Sequence, residues 1–243
     1  MTIPELVERK FLFDSNQPIT APLYEIAIAR NGVFKRARRR EMTAVIKLSA
    51  FSARIKELAI EEARIEMTAK IPGRIFAEIL AHTRHATDAA CFTENLYAVY
   101  FDDGQYVWKE ISRQREFGST IARDDDAAYQ AAVLEIHTHP PGCRRFSLQD
   151  NRDESGKFRL FGVLVDIHSE KSAIRLRIGI YDSFWEFPAE FITDELPLEI
   201  TDLVKQENAE RDAAFGCASE IVTDYTIVRE YFETEVCILY ENL

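Results

Sequence analysis

The chain has 243 residues, 47% of them apolar, with 30 lysines and arginines against 41 aspartates and glutamates. That length and apolar content suit one or two globular domains and exclude a disordered or fibrous chain. No run approaches the ~18 to 20 consecutive apolar residues of a membrane helix, and the first ten residues lack the apolar stretch and cleavage site of a secretory signal, so a cytoplasmic location with no membrane partner is expected.

In chain order, Leu23 to Leu48 reads as a hairpin, because Tyr24, Ile26 and Ile28 alternate with other residues, Asn31-Gly32 supplies a turn pair, and Val45 and Ile46 end the return run. Within it, Lys35 to Arg40 holds five cations in six positions. A solvated strand is the ordinary reading of such a run, and a docking face for an acidic partner or for the chain's own acidic end is the sharper one. A strand is predicted over Ala63 to Thr68, and then a helix over Gly73 to His82, with Pro72 at its first position and Ile75, Phe76, Ile79 and Leu80 on one face. Leu96 to Phe101 and Gln105 to Ile111 flank Asp102-Asp103-Gly104 and read as a second hairpin. Asp124-Asp125-Asp126 precedes a short helix over Ala127 to Ala132, and Val133 to Thr138 reads as a strand running into a loop rich in Pro and Gly. Two more strands, Leu160 to Ile167 and Ile174 to Tyr181, are expected across the turn His168-Ser169-Glu170-Lys171. From about Leu198 the pattern is helical through Ala214, and Ile221 to Tyr240 is ambiguous between helix and strand. Residues 194 to 243 hold 13 acidic and 3 basic residues, so nearly all of the net charge of −11 lies at that end. This balance repels phosphate backbones and speaks against nucleic acid as a partner.

Chemistry concentrates in Glu135-Ile136-His137-Thr138-His139-Pro140, followed at a distance by Ser147 and Asp150. Side chains alternate along a strand, so His137 and His139 face the same side, with about 6 to 7 Å of rise between them. The next residues can fold back and let Asp150 supply an oxygen. Two imidazoles, one carboxylate and a free fourth position make the open ligand set of a catalytic zinc site rather than the closed set of a structural one. Ser147 and Asp150 also have an ordinary explanation, since Ser-x-x-Asp resembles a capping box at a helix start. The four cysteines, Cys91, Cys143, Cys217 and Cys237, show no CxxC spacing and are expected to be free thiols.

Taken together, His-x-His-Pro, seven residues on Ser147, and then x-x-Asp150 match the motif of the JAB/MPN metalloproteases, the JAMM family of zinc isopeptidases, which the chain resembles. The stretch Asp153-Glu154-Ser155-Gly156 and the strand Phe161-Gly162-Val163 are similar to the bacterial JAB branch called PRTRC system protein A. The likeness spans Ile71 to Phe191, extends to Leu23 to Lys70 through Asn31-Gly32-Val33-Phe34, and does not reach the acidic end. It implies an α/β (α+β) fold, a JAB/MPN-type mixed β-sheet flanked by helices. The implied organisation is a β-rich region over 1–70, the metalloprotease domain over 71–193 and an acidic extension over 194–243. It implies one zinc per chain on His137, His139 and Asp150, with Ser147 stabilising the tetrahedral intermediate. It also implies an upstream glutamate as general acid/base. Glu94 is the candidate, lying after the helix and opening the strand Leu96 to Phe101, with Glu135 and Glu110 as rivals. The resemblance further implies a deubiquitinase-like peptidase acting after the C-terminus of a bacterial ubiquitin-like protein. E1-like and E2-like proteins of the same operon are the partners it suggests, with phage defence as the setting. Two alternatives stand beside this: a catalytically silent JAB scaffold, and a peptidase that processes a sulfur-carrier protein.

Overall fold

The computed structural model describes residues 6–86, 94–111, 113–116, 119–122 and 126–215. It is a mixed α/β structure, rich in strand, with two mixed sheets of five and seven strands and four helices among the described residues. The first sheet runs β1 (Val7–Phe11), β2 (Tyr24–Ala29), β3 (Gly32–Arg38), β4 (Met42–Ala50) and β5 (Arg64–Met67) in spatial as in chain order. β1 lies parallel to β2 and the other pairs are antiparallel. The expected hairpin over Leu23 to Leu48 is therefore three strands rather than two, with a second tight turn closed by Arg39 and Met42.

That turn changes the meaning of the basic run. Because β3 is an inner strand, Lys35 and Arg36 are buried on its opposite faces, not solvated. Lys35 pairs with Asp182 and lies over the Tyr24 ring at 4.2 Å, while Arg36 stands between Glu25 and Glu61, 3.7 Å from each. Arg39 donates to Glu41 and to the Ala132 and Phe158 carbonyls. Only Arg38 and Arg40 remain exposed.

The seven-stranded sheet takes β6 (Leu96–Asp102), β7 (Gln105–Glu110), β10 (Leu134–Thr138), β11 (Lys157–Val165), β12 (Ser172–Tyr181), β13 (Ser183–Glu186) and β14 (Ile200–Asp202). Its order is β13-β12-β11-β10-β6-β7, with β14 pairing β12, so β10 is central. β10 runs parallel to β11 and antiparallel to β6. β6 and β7 are joined at Asp103 and Gly104, both at positive φ, as an Asp-Gly hairpin turn requires. β8 (Arg113–Glu116) and β9 (Ser119–Ala122) form a separate hairpin.

Helix α1 (Gly73–Ala86) runs one turn beyond the predicted end at His82 and buries Ile75, Phe76, Ile79 and Leu80. These side chains share one apolar core with Val99, Leu134, Ile136, Leu160, Leu176 and Ile178 from one sheet face and with Ala37, Ala44 and Ile46 of the first sheet. By alternation, Glu135 and His137 of β10 and Arg175 and Arg177 of β12 look to the other face. There lie α2 (Ala127–Ala131), α3 (Leu148–Glu154) and α4 (Leu203–Phe215). Asp126 caps α2 by accepting from Ala128 and Tyr129.

A helix from Leu198 does not form. Leu198 is 93% exposed, Ile200 to Asp202 adds a strand to β12, and Asp202 then accepts the Lys205 N–H at the true helix start. The ambiguous segment Ile221 to Tyr240, with Cys91, Cys217 and Cys237, lies outside the described residues. Among those described, no helix is long and apolar enough to cross a membrane.

Candidate metal centre

The centre is built where β10 ends. His137 and His139 are 7% and 6% exposed, and their Nε2 atoms stand 3.0 Å apart. Between them Thr138 turns the other way, bonding to Asn95 through both its N–H (3.0 Å) and its Oγ1 (2.9 Å). The His139 N–H continues the ladder to the Leu164 carbonyl at 3.0 Å. Both rings thus hang from backbone paired on either side.

The loop that follows is held at several points. Gly142, at φ +81°, lets its N–H reach Asp166 Oδ1 at 3.0 Å, and the Arg144 guanidinium grips Asp166 Oδ2 at 3.0 and 2.8 Å. The bend also brings the Cys143 carbonyl to 3.1 Å from His139 Nδ1. Donation from Nδ1–H to that carbonyl leaves Nε2 as the bare nitrogen, the tautomer a metal ligand needs. Ser147 then caps α3. Its Oγ accepts from Asp150 N at 3.1 Å, while Asp150 Oδ2 accepts from Ser147 N at 2.5 Å. The capping box and the ligand reading are one geometry, because the cap turns the carboxylate toward the histidines. Asp150 Oδ1 lies 3.2 Å from His137 Nε2 and Oδ2 3.3 Å from His139 Nε2.

Among the described residues these three side chains form a group able to hold a metal ion, with ligand atoms all within 4.8 Å of one another. The donor set fits. With Nδ1–H committed to Cys143, a neutral His139 points a lone pair at a carboxylate oxygen, a repulsion that only a cation between them relieves. A proton is the simplest such cation. Burial disfavours charge on His139, yet the hydrogen bond and charge of Asp150, the Cys143 carbonyl and the charge of Glu94 outweigh it and raise its pKa above the ordinary 6.5. Burial also opposes charge on Asp150, but hydrogen bonds from both histidines hold its carboxyl well below the usual range. Two imidazole nitrogens and one carboxylate oxygen are donors that suit a divalent metal ion.

Beside this group is a cavity of about 520 Å3 whose lining includes Glu94, His139, Cys143, Arg144, Arg145 and Ser147. Glu94 and Ser147 are therefore brought to the same opening as the second histidine. The two rival glutamates are engaged elsewhere. Glu135 is bound by Arg159 (2.9 Å) and Lys157 (3.5 Å), and Glu110 accepts from Asn95 (2.9 Å) with His82 at 3.7 Å. The Cys143 thiol is free and exposed, and it is the backbone of this residue that serves the site.

Sequence reasoning did not identify Asp166, Arg175 or Arg177 as parts of this centre. Arg175 donates to the Arg144 carbonyl at 2.7 Å, and Arg177 to Asn151 and Glu154 at 2.6 and 2.7 Å. A signal did exist, since two arginines two apart within the apolar run Ile174 to Tyr181 must be buried on one face, and buried arginines are rare unless paired. In comparison with known proteins, the chain matches no family model and no curated sequence.

Proposed function

We propose that the chain is a zinc-dependent peptidase of the JAB/MPN kind, cutting the amide that follows the C-terminus of a bacterial ubiquitin-like protein. The observation that carries this reading is the convergence of His137, His139 and Asp150 beside a cavity that also holds Glu94 and Ser147. His137, His139, Ser147 and Asp150 are the ones that the JAMM motif assigns to ligation and catalysis, and Glu94 is the candidate for the upstream glutamate. The likeness of residues 71 to 191 to JAB proteins supports it further, and E1-like and E2-like proteins are the partners that likeness suggests.

Bound zinc would supply Lewis acidity, lowering the pKa of water to about 7 and polarising a carbonyl. The protein's part is to orient and to move protons. Glu94 sits at the cavity, where its carboxylate can accept the proton of the attacking water and return it to the leaving amine. Ser147 Oγ already accepts from Asp150 N, so its own O–H is free to donate to the oxygen that gains charge. Arg144, fixed by Asp166, keeps the loop that forms the cavity wall in place. No nucleophilic side chain is needed, and the amide is cut by water.

The test is to incubate the purified chain with zinc and a ubiquitin-like fusion. The reading expects cleavage that stops on chelation and in Glu94→Ala and His137→Ala. Cleavage that survives chelation contradicts it, and stoichiometric zinc without cleavage of any such fusion favours a binding scaffold. Mass spectrometry of the new C-terminus separates release of a modifier from processing of a sulfur carrier.

A further inference from the structure

Side chains on β12 reach the segment that links the second proposed ligand to the third. Arg175 and Arg177 are 1% and 5% exposed and project from the same face of that strand. Arg175 Nε donates to the Arg144 carbonyl at 2.7 Å, and its Nη1 is held by Glu186 of β13 at 2.6 Å and Glu207 of α4 at 3.2 Å. Arg177 lies between the Phe146 and Phe184 rings, 3.8 and 4.2 Å from their centroids. Its fork donates to Asn151 Oδ1 at 2.6 Å and to Glu154 Oε2 at 2.7 Å. The stretch from 144 to 154 is thus gripped at its start by a carbonyl, in its middle by a ring, and at its end by two side chains of α3. Asp150 lies inside that grip.

The register shows what the grip is measured against. His137, Val163 and Arg175 are successive cross-strand partners, one row across β10, β11 and β12, and Glu135, Phe161 and Arg177 form the next row. The first histidine and both arginines therefore belong to one hydrogen-bonded sheet, whereas Asp150 reaches the site on a helix of only seven residues. Ordering that helix against the sheet needs directional contacts, and a planar guanidinium fork supplies them where a single ammonium does not. Burial raises the Glu154 carboxyl above its ordinary range against the pull of the Arg177 charge.

We propose that Arg175 and Arg177 are positioning residues that set the distance of Asp150 from the two histidines by clamping residues 144 to 154 to the sheet. This rests on the zinc reading of the site. Neither arginine touches the ligands' donor atoms; both act through the loop carbonyl and through α3.

The test compares zinc affinity of the purified chain and its variants, read by titration against a competing chelator, with unfolding of the metal-free protein. Arg177→Met keeps an unbranched apolar side chain and removes the guanidinium, both its stacking between the two rings and its fork. It is expected to raise the zinc Kd by about 10- to 100-fold, the usual effect of losing a group that orients a ligand. Amide exchange should quicken over 144–154 in the metal-free protein. Arg177→Lys should recover only part of the affinity. Arg39→Met, which removes ties to the Ala132 and Phe158 carbonyls at the opposite end of β10, controls for stability alone and should leave Kd within about twofold. If Arg177→Met does not fold, Asn151→Ala, which removes the acceptor of one arm of the fork, carries the same test with the arginine in place. A folded Arg177→Met with parental zinc affinity overturns the inference while leaving the zinc site standing, as does an Arg39→Met that loses affinity equally. A parent chain that binds no zinc overturns both.

Discussion

Ser147 and Asp150 cap one another: the hydroxyl of the first accepts the backbone N–H of the second at 3.1 Å, and the carboxylate of the second accepts the backbone N–H of the first at 2.5 Å. Helix α3 thereby begins at the residue that aims its third member at His137 and His139. Replacing Ser147 by Ala should destabilise the metal-free protein by about 1 kcal/mol, the usual loss of an N-cap. Because the same hydroxyl is proposed to donate to the developing oxyanion, kcat should fall by about 100-fold or more. Urea unfolding and steady-state kinetics on one preparation separate the two effects.

Glu94 is proposed to move protons and stands outside the ligand group, although its charge bears on His139. Glu94→Gln should lower kcat by about 10²- to 10⁴-fold, in the range expected for losing a general acid/base, and weaken zinc binding only through the loss of its charge near His139. A parallel loss of zinc would instead make Glu94 a ligand.

Zinc uptake should release protons. Burial opposes charge on His139, but Asp150 and the Cys143 carbonyl raise its pKa, so zinc must displace the proton that they favour there. Asp150 is held low and contributes none. Proton release measured by calorimetry in buffers of different ionisation enthalpy should be larger at pH 6.5 than at pH 8.

The first sheet carries its own acid sensitivity. Glu25 is buried, and although burial opposes its charge, hydrogen bonds from Lys10 (2.7 Å) and the Thr20 N–H (2.7 Å) lower its pKa below 4.5. A carboxylate whose pKa is depressed on folding stabilises the protein above its unfolded value and loses that contribution as the pH falls through the folded one. Glu25→Gln should lower stability at pH 7 and flatten the decline below pH 4.5, followed by unfolding at a series of pH values.

Gly142 adopts φ +81°, and a Cβ there would meet nothing within 4 Å. The expected loss for Gly142→Ala is therefore backbone strain alone, about 1–2 kcal/mol. It should appear as weaker zinc binding if the strain is relieved by moving the Cys143 carbonyl off His139, and as a lower Tm if it is not.

The convergence of His137, His139 and Asp150 was legible because they lie within fourteen residues of one another, where strand alternation and a helix cap suffice to bring side chains together. The Asp102-Asp103-Gly104 hairpin and the amphipathic helix at Ile75 to Leu80 were local in the same sense. What escaped was non-local. β1 lies parallel to β2, a pairing that no turn announces, and β14 is three residues long beside an exposed leucine. Lys35 and Arg36 read as solvated because their partners, Asp182 and the Glu25–Glu61 pair, come from other strands and loops. Arg175 and Arg177 read as interruptions of an apolar strand until the sheet puts α3 over them.

The most direct measurement of the central claim is the zinc content of the purified chain and of Asp150→Ala. The account predicts about one zinc per parent chain, removed together with peptidase activity by a chelator and restored with it, and far weaker binding in the variant. A parent chain that cleaves its substrate without metal, or an Asp150→Ala that holds zinc as tightly as the parent, would contradict it.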